Sequence, residues 1–339
     1  MLRSIGVLAV IAGVLSPAGA TAQSVADFYR GKTVTMIVGY PTGNSNDLYF
    51  RAVARHIGRH IPGNPNVIPR NMPGGGSLIA ANHLFNVAPK DGTTLGLVAP
   101  TIPLEERLGA PNVRFKAAEF NWIGRMSSGV HVAFVSSKVP VKSIQDAFPR
   151  EIVFGASGRS SSTAIHPAVL ANVIGVKFKI VMGYTGSVDS MLAVERGEVE
   201  AHSASLEILR AVHPDWIPER KVTPLVQFAL KRHRELPDVP TSLELGKNQE
   251  QRDILRIVAN ATELGKFALA PPNTPAERVD ALRRAFDATM QDPAFMADVK
   301  ALRLELDPMP GDELRKLVVE VGTVSPAIIN KVKAIYPLN

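Results

Sequence analysis

Apolar and polar positions fall into blocks whose period changes along the chain. Residues 33–38, TVTMIV, form a short run rich in β-branched side chains, the pattern of a buried strand, and residues 48–61 then carry apolar positions at helical spacing. Between them lies GYPTGNSND, small, polar and turn-forming, so the chain reads strand, loop, helix, with Asp47 as the expected cap. The same pattern follows twice more. A strand over 66–70 meets the glycine-rich turn PGGGS and a helix over 78–87, and a strand over 94–99 runs into a loop holding Thr101. Strands alternating with helices predict a parallel, doubly wound sheet. Its loops gather at the carboxyl edge of the strands, where amides at helix starts favour an anion.

Residues 120–137 hold two strand-like runs around Ser127, Ser128 and Gly129, and there the chain is expected to cross to a second sheet. The alternation restarts with a strand over 152–156, the serine-rich loop GASGRSSST, a helix over 164–174, a strand over 178–183, the turn YTGSVD and a helix over 187–196 stopped by Gly197. Strands over 199–203 and 224–229 complete it. Residues 236–245 and 266–272 read as the return to the first sheet, and the remainder as helices over 274–290, 293–302 and, with breaks, 311–335. The fold class is therefore α/β, two doubly wound domains joined by a hinge. Domain 1 is expected over 23–127 and 246–339, and domain 2 over 128–245.

Composition agrees: 339 residues, 45% hydrophobic and 20% charged, suffice for two cores. The start is different in kind. Arg3, an apolar run over 5–15 and small residues at Ala20 and Ala22 predict a cleavable secretory signal peptide over 1–22. That run falls short of the roughly 20 residues that span a bilayer, so a protein not embedded in the membrane is expected. With no cysteine there is no disulfide, thiolate metal site or cysteine nucleophile. The net charge of +7 is spread along the chain without interleaved aromatics, which argues against nucleic acid and leaves a mild bias toward anions.

Three chemistries present themselves. His56 and His60, four apart on the first long helix, have the spacing of a metal pair, but no glutamate accompanies them and Arg55 and Arg59 alternate with them; a solvated basic face is expected, and no metal. Ser157 with His166 or His202 and Asp189 would make a serine hydrolase, yet GASGR lacks the G-x-S-x-G elbow, so no catalytic residue is assigned. PGGGS lacks the lysine of a phosphate loop and the spacing of a dinucleotide fingerprint, and no cofactor is expected.

Taken in order, GYPTGNSND, NMPGGGSLIAANHLFNVAPKDGTTLG, GYTGSVDSMLAVERGEVE, LPDVPTSLELG and LAPPNTPAERVDALRRAFDATMQDP resemble the substrate-binding proteins of tripartite tricarboxylate transporters, the Bug family, over nearly all of the mature chain. The resemblance implies a type II periplasmic binding protein of Venus-flytrap form, a monomer that is not an enzyme. It implies closure on a small carboxylate, an organic acid or amino acid, in an interdomain cleft and delivery to transporter membrane subunits. Carried over residue by residue, it implies ligand contacts from Tyr40, Pro41, Gly43, Asn44 and Asp47 in the first loop and Pro73 to Ser77, notably Gly75, Gly76 and Ser77, in the second. Thr101 belongs to the third. Domain 2 would supply Ser157, Gly158 and Ser160 to Thr163, with Ser160 and Ser161 foremost, then Tyr184, Gly186 and Asp189. Such turns replace the hydration of a carboxylate with convergent amides and hydroxyls. The chain departs from the family at Gly43–Asn44, where two glycines are common, and by inserts at 62–66 and 213–221. Arg159 and His166 are further candidates for the cleft, Arg159 as a bidentate carboxylate partner. A periplasmic ligand sensor presenting its closed form to a receptor is the alternative, and a secreted serine hydrolase the third reading.

Overall fold

The computed structural model describes residues 24–159 and 161–335; the signal peptide expected over 1–22 and the expected contact Ser160 lie outside them. The first half runs α1 (Val25–Tyr29), β1 (Thr33–Val38), α2 (Ser45–Ile57), β2 (Asn66–Asn71), α3 (Leu78–Asn86), β3 (Thr94–Leu97), α4 (Ile102–Leu108) and β4 (Asn121–Ser127). The middle adds β5 (His131–Ser136), β6 (Glu151–Ala156), α5 (Ser162–Ile174), β7 (Lys177–Met182), α6 (Ser187–Arg196), β8 (Ala201–Ser205), α7 (Leu206–Val212), β9 (Val222–Phe228) and α8 (Gln249–Leu264). The chain finishes with β10 (Lys266–Ala270), α9 (Ala276–Met290), α10 (Pro293–Ala301), β11 (Met309–Pro310), α11 (Gly311–Thr323) and α12 (Pro326–Ile335).

Two mixed sheets result, β11-β4-β10-β3-β1-β2 and β7-β6-β8-β5-β9. The period-2 pattern sorts their faces. In β1, Met36 and Val38 pack with Phe50 and Val53 of α2 and Phe286 of α9, whereas Ile37 faces the other way, toward Ala81 and Leu84 of α3. Strand β10 divides likewise, with Phe267 and Leu269 on the α3 and α11 side and Ala268 and Ala270 on the α2 and α9 side. Trp122 of β4 is fully buried against Phe267, ring centroids 4.7 Å apart, and donates Nε1–H to Ala117 O at 3.1 Å. Each such ring contributes about 1.5–3 kcal/mol by its burial. In the second sheet Val135, Ile152 and Phe154 pack on α5 and α8, while Phe134 and Ala204 pack on α6 and α7. Helices on both faces of each sheet make the doubly wound pattern that the alternation predicts.

Neither sheet is purely parallel. β10 runs against β3 and β4, and β5 runs against β8 and β9. Both are the strands that arrive from the other sheet. A chain leaving one sheet at its carboxyl edge enters the facing sheet at that same edge, so it must run opposite to the strands already there. The crossings fall between Ser127 and His131 and between Leu264 and Lys266, and Gly129 N–H donates to Thr262 O at 2.9 Å across them. Gly265 lies in one crossing at φ +61°, where an added Cβ would stand 2.1 Å from Ser127 O. Only glycine fits so close an approach.

Four helices escape the pattern. α1, with five residues, and α4 and α7, with seven each, are too short to show a period. α8 falls in the stretch taken as the return; Ile254, Leu255 and Val258 are buried at helical spacing and pack it on α5 of the second sheet. The break in the last helical stretch falls at Val324 and Ser325, with Pro326 opening α12.

Candidate functional site

The carboxyl edges of the two sheets face one cavity of about 450 Å³. The first sheet supplies Tyr40, Pro41, Asn44, Gly75, Gly76 and Ser77 from the predicted set. The second supplies Ser157, Gly158, Ser161, Tyr184 and Gly186. Loops far apart in the chain thus share a crevice, because each follows a strand whose end points at the other domain.

The turn after β2 owes its shape to glycine. Gly74, Gly75 and Gly76 have φ of 128°, 57° and 64°, and Ser77 continues at 75°. A serine there is strained by about 1 kcal/mol or more, and its hydroxyl, donating to Gly39 O at 2.8 Å, holds it. The approach leaves no room at Gly39, where a Cβ would lie 2.7 Å from Ser77 Oγ. Burial raises the pKa of the neighbouring Tyr40 phenol, partly offset by its hydrogen bond with Ser77. The ring therefore enters the cavity as a neutral group.

Across the cavity, Thr163 organises the serine-rich turn. Its Oγ1 accepts from Ser157 N at 3.1 Å and lies 3.2 Å from Ser157 Oγ and 2.7 Å from Ser161 Oγ, and Ser161 Oγ donates to Gly158 O at 2.6 Å. The hydroxyls close the turn on itself. α5 and α6 both begin at the cavity, and neither start has a side-chain cap to satisfy its first-turn amides.

Four predicted contacts do not line the cavity. Asp47 is 1% exposed and accepts from Gly43 N at 2.8 Å, Arg51 Nε at 2.9 Å and Asn71 Nδ2 at 2.8 Å. It fastens the first loop to the end of β2. Gly43 is its partner, at φ +83°. The cap of α2 is Asn44 instead, whose side chain accepts from Asn46 N at 2.8 Å. Thr101 is fully buried at the start of α4, and Asp189 is exposed on α6 and accepts from Thr185 Oγ1. His166 is 1% exposed and sits behind the wall, edge-on to His131 at 4.8 Å. Arg159 is exposed and lines the cavity.

His56 and His60 turn to separate carboxylates, Asp298 and Asp292, each at 2.8 Å. His56 is buried, so this is an α2–α10 seam and not the solvated face expected. The His60 hydrogen bond helps to hold Asp292 down to about 2. Ser157 Oγ has Thr163 as its partner, and His202 Nδ1 lies 2.7 Å from Gly155 O, so neither belongs to a nucleophile–base pair.

The floor holds residues the motifs did not mark: Gly129, His131, Ser205, Thr262 and Lys266. All sit at or beside the crossings, and the crossing itself was the signal that could have found them. Burial pushes the His131 imidazole down to about 3, with the nearby Lys266 ammonium adding to the shift. The described wall contains two cations, Arg159 and Lys266, and no carboxylate side chain.

Residues 49–334 match the family model described as the tripartite tricarboxylate transporter family receptor. The chain belongs to this family. A "UPF0065 protein in gbd 5'region" of Cupriavidus necator is 26% identical over 336 residues, covering 96% of this chain and 94% of that protein. Among solved structures, the periplasmic binding protein BugD superposes with a TM-score of 0.69 at 21% identity, over 91% of this chain and 98% of BugD. An R. palustris protein solved with adipate gives 0.68 at 20% identity, over 90% and 97%. Both structures share the fold of two α/β domains seen here. Among the described residues no helix is long and apolar enough to cross a membrane.

Proposed function

We propose that the protein is a periplasmic receptor that captures a small carboxylate between its domains and delivers it to the membrane subunits of a tripartite carrier. One observation carries the reading: a cavity walled by two amide-rich turns from opposite sheets, with two cations and no carboxylate in its described wall. At these turns the backbone amides stabilise an anion through their own dipoles, which offsets the cost of stripping water from the carboxylate. The adipate seen in the R. palustris relative is the kind of ligand that suits such a wall. Because α8 packs on α5 of the second sheet, the return is better placed at the crossing beside Gly265 than at 246: domain 1 would comprise 23–127 with 265–339 and domain 2 128–264, the protein acting as a monomer after removal of residues 1–22.

The test is a thermal-shift and calorimetry screen of mono-, di- and tricarboxylates against matched amines. Acids are expected to raise the melting temperature by mass action, by an amount equivalent to about 4 kcal/mol at a thousand times Kd. Gly158→Trp should abolish the shift without loss of folding, because nothing lies within 4 Å of a Cβ built there. Stabilisation by amines instead of acids would overturn the reading. Delivery is tested separately, by uptake of the labelled acid in cells with and without the gene.

A further inference from the structure

The amide turns account for one anionic group, yet the floor of the cavity carries a charge they do not need. Lys266 is 4% exposed on β10 and lines the cavity; Glu207, 3% exposed at the start of α7, pairs with it at 3.3 Å but is not part of the wall. Of the pair, only the positive residue belongs to the cavity wall. A buried ion pair adds little net stability, and well-packed apolar residues could replace it at no cost to the fold. Lys266 Nζ also stands 5.0 Å from the Tyr49 ring centre, a position that adds to the stabilisation of its charge. Beside it His131 lines the same floor, and its buried Nδ1 has no hydrogen-bond partner among the described residues. An ammonium has three donors, and a single carboxylate at 3.3 Å leaves capacity for another acceptor.

We propose that Lys266 is a specificity residue that binds the second anionic group of a dicarboxylate whose first carboxylate is held by the amide turns. The assignment rests on the carboxylate reading above and narrows it to acids with two anionic ends. Glu207 has a defined part in it. Burial alone would raise its carboxyl, but the Lys266 ammonium and local hydrogen bonds hold it below its usual value, so it stays charged. Sharing the ammonium with Glu207 moderates the grip on the ligand and keeps the lysine paired when the cavity empties.

The experiment measures Kd by calorimetry for succinate and adipate against their monoamides, which keep the length and remove one charge. The wild-type protein should bind at least one diacid about tenfold or more tighter than its monoamide, the scale of one charge-assisted hydrogen bond. Lys266→Met should reduce that ratio to near one. Since it strands Glu207, the double variant Lys266→Met/Glu207→Gln removes both charges, and circular dichroism confirms that it folds. An unchanged ratio in the folded double variant, or equal wild-type affinity for diacid and monoamide, would overturn the assignment while leaving the carboxylate reading intact. Failure of the wild-type protein to bind any acid would overturn both.

Discussion

A carboxylate that is 1% exposed must have its oxygens answered, and Asp47 uses the Gly43 amide, the Arg51 guanidinium and the Asn71 amide to do so. Asn71 in turn donates to Tyr40 O at 2.9 Å, so one side chain fixes the loop that carries Tyr40 and Pro41 into the cavity. Asp47→Ala should therefore lower stability by about 1–3 kcal/mol, because it removes the charged acceptor shared by the Gly43 amide, the Asn71 side chain and the Arg51 guanidinium. Urea denaturation measures that loss. Calorimetry should find weaker ligand binding as well, since the loop is no longer held; unchanged stability would show that the carboxylate is dispensable. Gly158 is the opposite case. It has open space around its Cα, so a large residue there should block ligand and spare the fold.

At the level of elements, α5 and β8 bring His166 and His202 into the second domain's interior, and β5 sets His131 on the cavity floor. Burial lowers His131 to about 3 and His202 to about 4, and it puts His166 well below the ordinary value of 6.5. The unfolded chain takes up these protons near pH 6.5, whereas the folded chain refuses them until lower pH. Stability is thus complete above pH 6.5 and declines as pH falls toward 4, by up to about 1.4 kcal/mol per pH unit for each imidazole. Thermal melts from pH 7 to 5 should show the decline. His202→Gln, which keeps a donor for Gly155 O and cannot titrate, should make it shallower, and a flat profile in the wild-type protein would contradict the burial of neutral imidazoles. Elements also differ in how plainly their residues announce them. β1 and α6 match their expected limits because a strong period ends at a turn residue, whereas α7 is too short to establish one.

Across the whole molecule the two sheets are joined by a few tightly packed positions and the helices laid beside them. Gly265 is one such position, and Gly265→Ala should destabilise the protein by about 2 kcal/mol or more, since a Cβ 2.1 Å from Ser127 O forces the crossing to shift and φ +61° is unfavourable for alanine. Calorimetric unfolding checks it, and a melting temperature equal to the wild type's would mean that the crossings are not held so closely. α12 packs on α4, α5 and α8, joining elements from both halves of the chain, and this contact has no local signal because it depends on where distant helices come to rest. The sequence alone determined the α/β class, the crossing near Ser127 and most of the turns that line the cavity, because hydrophobic period and glycine placement are local properties of the chain. Only the tertiary structure decided that Asp47 fastens the first loop instead of lining the cavity, that His166 is buried beside His131, and that Lys266 lies on the floor. Whether a polar side chain faces a ligand or another part of the protein depends on which residues come together from far along the chain, and no local pattern records that.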